Sequence, residues 1–130
     1  MPGVVIDASA LVELLLGRPR APAVRAALVD SETIAPQHLD VEILSALRSL
    51  ARRGEIAESR ARVALRRLAT SRIERYPLPP LLDDAWVLRE HVSAYDAVYL
   101  ALARRLSCPL LTADRRLAAT PALAVAITVV

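Results

Sequence analysis

The sequence predicts an α/β fold in which a parallel sheet of about five strands is covered by helices on both faces. Three observations support this. Short apolar or β-branched runs such as Val4–Ile6 and Leu110–Ala113 alternate with longer stretches of helical periodicity, the pattern of strand–helix–strand units that lay strands side by side in one direction. The 130 residues, 55% of them hydrophobic, are read as one domain, 1–130, burying roughly two thirds of its unfolded surface. Finally, Asp7 and Asp114 directly follow two of the apolar runs, at the strand end where open α/β sheets bind ligands.

Strands are predicted near Val4–Asp7, Thr33–Ala35, Ile73–Tyr76, Pro109–Thr112 and Val125–Val129. The first helix, Ser9–Leu16, is stopped by Gly17 and Pro19, and a second begins at Pro22 and reaches about Val29, using proline where a helix start tolerates it. A third runs from Gln37 to Arg53 with Leu39, Ile43, Ala46, Leu47 and Leu50 on one stripe, and Gly54 ends it. A basic helix from Glu55 to Thr70 forms a hairpin with it; Pro77, Pro79 and Pro80 precede a helix over Leu81–His91, and Ser93 opens one reaching Leu106. A short helix, Arg115–Ala119, follows Asp114. There is no internal repeat or low-complexity tract.

The single Cys108 cannot form an intramolecular bridge, and with neither a secretory signal nor a membrane-length apolar run the expected setting is a reducing cytoplasm. Leu11–Leu16 is interrupted by Glu13 and ends at Gly17, too short and too polar to span a bilayer. All seventeen basic residues are arginine, and the formal charge is +3, compatible with a polyanionic partner without requiring one. If four acids are gathered in one site, the remaining surface is more basic than the total suggests, which favours phosphate contacts.

Those acids are Asp7, Glu42, Asp96 and Asp114. Each has a structural explanation. Asp7 and Asp114 can cap the helices that follow them, and Ser93-Ala94-Tyr95-Asp96 matches a capping box. Glu42 is harder to explain that way, because it projects about 80° from the centre of its helix's apolar stripe, where a carboxylate needs partners or a cation. One sheet would bring all four to one crevice, where like charges raise one another's pKa unless a cation compensates. Such a cage suits Mg²⁺ or Mn²⁺, and metals held there can orient a phosphodiester, activate a water and stabilise the leaving oxygen. Ser9 and Thr112 can add hydroxyls at its rim or act as caps.

Four segments together resemble the PIN-domain family, and within it the VapC-type toxins of bacterial type II toxin–antitoxin pairs: Val4–Ala10, Leu39–Arg48, Ala94–Ala103 and Leu111–Leu117. They occur in the family's order and cover nearly the whole chain. The resemblance implies a Mg²⁺- or Mn²⁺-dependent endoribonuclease whose acidic quartet falls on Asp7, Glu42, Asp96 and Asp114. It also implies a toxin homodimer and a small VapB-like antitoxin whose C-terminal segment blocks the site and the groove beside it, with larger toxin–antitoxin hetero-oligomers possible. Arg115 and Arg116 match the family's basic residues after the last acid, as phosphate contacts or as solvated side chains.

Other polar residues are set aside. His38, a helical turn before Glu42, is placed outside the site, and His91 is read as a dipole partner near a helix C-terminus. Asp40, Asp83 and Asp84 read as surface acids, and Trp86 as core or interface. Trp86, Tyr95 and Tyr99 are too few for a base-stacking platform. The arginines of the hairpin, Arg60, Arg62, Arg66 and Arg67, suit RNA backbone, antitoxin or solvent. The main alternative function is a non-catalytic RNA-binding or protein-interaction module, although four converging acids would repel phosphate. A receiver or phosphatase domain is disfavoured because the chain has no lysine.

Overall fold

The computed structural model describes residues 1–120 and 124–130. They form a parallel five-stranded sheet in the order β3-β2-β1-β4-β5, with β1 Gly3–Ile6, β2 Glu32–Pro36, β3 Glu74–Tyr76, β4 Leu110–Thr112 and β5 Ile127–Val129. The chain winds outward from β1 to β2 and β3 and then crosses back, so the strand order reverses between β1 and β4. Ligand crevices form outside the carboxyl ends of strands at such a switch point. Val5, Ile6, Leu110 and Leu111 are essentially inaccessible, as central parallel strands must be when helices cover both faces.

The helices are α1 Ala8–Leu15, α2 Ala21–Leu28, α3 Leu39–Arg52, α4 Glu58–Ala69, α5 Leu82–Val87, α6 Ala94–Leu106 and α7 Arg115–Ala118. In α3 the stripe Leu39, Ile43, Leu47 and Leu50 is buried. Helix α6 is buried over most of its girth, including Tyr99, Leu100, Leu102 and Ala103, and therefore forms the centre of one layer.

Two predicted helices are shorter than their sequence patterns suggest. The basic helix starts at Glu58 rather than Glu55 because α3 ends in a full Schellman motif. Gly54 takes φ +73°, its N–H donates to Ala51, and Glu55 N–H reaches back to Leu50, so the next helix cannot begin at Glu55. Helix α5 stops at Val87 rather than His91, since Leu88, Arg89 and His91 donate to carbonyls three residues back and the coil tightens until it ends. His91 thus sits in an exposed turn, not at a helix C-terminus.

Arginines do structural work that the sequence left open. Arg60 and Arg67 of α4 donate to the carbonyls of Leu16 and Leu15 at the end of α1, occupying acceptors that a helix C-terminus leaves without intrahelical partners. Arg62 pairs with Glu58 on the helix surface. Asp40, read as a surface acid, is gripped by Arg75 of β3 at 2.9–3.2 Å through both carboxylate oxygens. The same guanidinium donates to Leu68 and Ile73 carbonyls, fastening α3, α4 and β3 together. Trp86 is not core, being 67% exposed with Arg89 stacked 4.7 Å from its ring.

The Arg75 junction gives a stability test. Asp40→Ala should cost about 1 kcal/mol, the upper end for a half-exposed pair, and Arg75→Ala about 2 kcal/mol because two further carbonyls lose their donor. Urea unfolding measures both; equal losses would assign the whole effect to the ion pair.

Candidate active site

Asp7 is the first residue past β1 and the N-cap of α1, its side chain accepting from Ala10 N–H at 3.0 Å. It is also 5% exposed. The same oxygen, Oδ1, accepts from the Ser9 hydroxyl at 2.7 Å, and Oδ2 accepts a short bond from the Thr112 hydroxyl at the end of β4. Ser9 Oγ in turn accepts from Ala113 N–H at 2.9 Å, and Thr112 Oγ1 from Asp114 N–H at 3.0 Å. Each hydroxyl has a single proton, and both are directed at Asp7, so the 3.2 Å approach of Ser9 to Thr112 is a contact between two acceptors. The capping and site explanations of Asp7 are therefore the same geometry.

Asp114 N-caps α7 by accepting from Arg116 N–H, and the Arg116 guanidinium lies against its carboxylate at 3.3 Å. That side chain holds the Asp114 carboxyl below its ordinary range. Of the two arginines after the last acid, Arg116 engages Asp114; Arg115, like Arg116, is exposed. Asp96 occupies the first turn of α6, where Ser93 caps the helix by accepting Asp96 N–H at 3.1 Å.

Glu42 lies in the first turns of α3 with its side chain 27% exposed. Its Oε1 is buried and has no aligned hydrogen-bond partner. His38 Nε2 is only 3.2 Å from that oxygen, but its N–H points instead at the Tyr95 carbonyl, 3.3 Å away. Proximity without an aligned bond accounts for both observations. Hence His38, placed outside the site from sequence, touches the quartet. Tyr99, set aside with it, is buried, and its phenol is pushed far above its ordinary range by burial and then by Glu42 beside it. Both had a spacing signal: His38 is four residues before Glu42 and Tyr99 three after Asp96, the intervals that put side chains on one helix face.

The four acids share one electrostatic environment. The carboxyl of Asp96 is raised first by burial and then by Asp7, Asp114 and Glu42, with Ser93 opposing; that of Asp7 is raised first by burial, against the bonds from Thr112, Ser9 and Ala10, with Glu42 adding to the rise. Among the described residues, no three His, Cys, Asp or Glu side chains converge closely enough to grip an ion directly. The donor set nevertheless suits a hard divalent cation: all its oxygens come from carboxylates, one buried oxygen lacks a donor, and Mg²⁺ is commonly held through one or two carboxylates with water completing its shell. Beside the acids, a cleft of about 830 Å³ runs between α1 and α3, lined by Ser9, Glu42, Tyr95 and Ala113 and continuing past Glu13 to Arg18 and Arg53.

A family model described as PIN domain matches residues 4–123. The chain is 46% identical over 121 residues to Ribonuclease VapC1 of Mycobacterium tuberculosis, covering 92% of this chain and 91% of that one. It is 41% identical over 128 residues to Ribonuclease VapC9 of the same species, covering 98% of each. The crystal structure of PAE2754 from Pyrobaculum aerophilum superposes with a TM-score of 0.72 at 26% identity, over 97% of this chain and 83% of that one.

The buried acid predicts a pH signature. An acid whose folded pKa is raised supports folding fully only below its unfolded pKa, near 3.8 for Asp7, and that support is lost as pH rises through the folded value. In EDTA, the melting temperature of Asp7→Asn relative to wild type should therefore climb between pH 4 and pH 7 and be higher than wild type at neutrality. A difference that stays flat with pH would show that the charge of Asp7 carries no such penalty.

Proposed function

The chain belongs to the PIN-domain family and to the VapC ribonucleases within it, and from that premise we propose that it is a divalent-metal-dependent endoribonuclease, the toxin of a VapBC-type pair. One observation supports this above the others: Thr112 links Asp7 to the backbone of Asp114, and His38 lies between Glu42 and the carbonyl of the residue before Asp96, so the acids of the family's quartet lie in one region at the mouth of a cleft. In this reading Asp7, Glu42, Asp96 and Asp114 hold Mg²⁺ or Mn²⁺, which supplies the Lewis acidity that lowers the pKa of water and offsets charge on the phosphate.

The chain's own residues have distinct tasks. Ser9 and Thr112 keep Asp7 aimed and oppose the rise that burial imposes on its carboxyl, by directing both hydroxyl protons at it. Arg116 keeps Asp114 ionised and, being exposed, can exchange that acid for an RNA phosphate. The cleft between α1 and α3 guides the strand past Glu42, and Arg18 and Arg53 at its far end meet phosphates flanking the cut. Four uncompensated carboxylates repel RNA, so productive binding depends on the cation.

The same cleft is where a VapB-like antitoxin would lay its C-terminal segment, and the active assembly would be a homodimer able to enter larger toxin–antitoxin complexes. No helix among the described residues is long and apolar enough to cross a membrane; the proposed place of work is the cytoplasm, where RNA and antitoxin are available.

The test is incubation of purified, antitoxin-free protein with total cellular RNA, with Mg²⁺ or Mn²⁺ and with EDTA, alongside Asp7→Asn and Asp96→Asn, followed by mapping of new 5′ ends. Discrete cuts that need metal and disappear in both variants are expected. RNA retained without cleavage would replace the proposal with a non-catalytic binding module.

A further inference from the structure

We propose that His38 is a positioning residue that ties Glu42 of α3 to the start of α6 and thereby sets the spacing between Glu42 and Asp96. The inference rests on the metal-dependent reading above and adds a residue to it.

His38 immediately precedes α3 and is only 14% exposed in its side chain. Its Nε2 lies 3.2 Å from Glu42 Oε1 and 3.3 Å from the carbonyl of Tyr95, the residue before Asp96. Both neighbours are acceptors, so Nε2 carries a proton. The ring is held in place by aromatic packing, with its centroid 4.7 Å from Tyr99 and 6.3 Å from Tyr95. Tyr99 extends from α6 and lies against the same carboxylate as His38. Three buried polar atoms without aligned partners, Glu42 Oε1, Tyr99 Oη and His38 Nδ1, belong to this group. Their concentration is not what packing alone produces, since buried polar atoms are ordinarily paired.

The arrangement therefore works as a strut. One edge of the imidazole fixes the backbone that carries Asp96 and faces the carboxylate of Glu42, while its face rests on Tyr99. Without it, Glu42 would be free to swing toward the solvent of the cleft, and the two acids on helices would lose their common reference. Partners that orient metal-binding side chains affect affinity through geometry, and removing one typically costs 10–100-fold.

Mn²⁺ titration of the metal-free chain by calorimetry tests this with wild type, His38→Gln, His38→Asn and, as a control, Glu42→Gln. A glutamine amide reaches the position of Nε2 and offers two N–H donors, enough for both Glu42 and Tyr95; an asparagine amide stops near Nδ1 and reaches neither. We expect His38→Gln to bind Mn²⁺ within about threefold of wild type and His38→Asn to bind about 10–100-fold more weakly, with the Mg²⁺ concentration for half-maximal RNA cleavage shifted in parallel. The two variants differ by one methylene group, so loss of ring packing falls on both and is read separately from melting temperatures.

Wild-type affinity in His38→Asn, or equal loss in His38→Gln and His38→Asn, would overturn the strut. If Glu42→Gln loses Mn²⁺ while both His38 variants retain it, the strut alone fails. If wild type and Glu42→Gln bind Mn²⁺ indistinguishably, the metal reading of the quartet fails as well.

Discussion

The site depends on one buried carboxylate. Asp7 is removed from water at the point where β1 ends and α1 begins, and ionised carboxylates are not buried there without compensation. Compensation comes from three donors, Ala10 N–H and the hydroxyls of Ser9 and Thr112. One of them, the Thr112 hydroxyl, is available only because β1 and β4 are adjacent in the sheet and in a register that pairs Ile6 with Leu111. The same hydroxyls receive the N–H groups of Ala113 and Asp114, so the loop leaving β4 is shaped by the acid that leaves β1. The start of α1 and the placement of Asp114 are both tied to accommodating this one carboxylate.

Much of this was legible in the sequence, and the reasons are local. A short apolar run followed by an acid and a small hydroxyl residue, as in Val4–Ser9, has few ways to end a strand and begin a helix. Among the described residues, five strands and seven helices lie at or within the predicted segments, two of the helices shortened, and Gly54 ends its helix as expected because a residue tolerant of positive φ suits that position. The errors occurred where tertiary geometry overrode a local pattern. The run Leu81–His91 reads as a continuous helix, yet its last residues tighten into turns. Trp86, read as core or interface, is not core.

Charge was the hardest feature to read. An arginine in a sequence looks alike whether it meets RNA, solvent or a carbonyl, and the destination depends on neighbours hundreds of atoms away along the chain. Arg60 and Arg67 are directed at the end of α1, while Arg75 closes on Asp40 and on the end of α4. An all-arginine composition, useful for such multidentate contacts because the guanidinium presents five donors in a plane, therefore reports on folding as much as on a nucleic-acid partner. His38 was misplaced for a related reason: its spacing from Glu42 was visible, but not the Tyr95 carbonyl that gives the imidazole something to hold.

The quartet thus divides into two halves with different mechanical character. Asp7 and Asp114 follow the carboxyl ends of two adjacent interior strands, where hydroxyls, a helix cap and Arg116 fix their direction, and where β1 and β4 are tied to each other by backbone bonds. Glu42 and Asp96 come from helices, joined at the cleft mouth by His38 and Tyr99. Coulomb repulsion acts across the halves as well as within them, and it weakens only with distance and with counter-charge. A half that is rigid can endure that repulsion in place; a half carried on helices would relax outward along the softest direction, which is the open cleft beside Glu42.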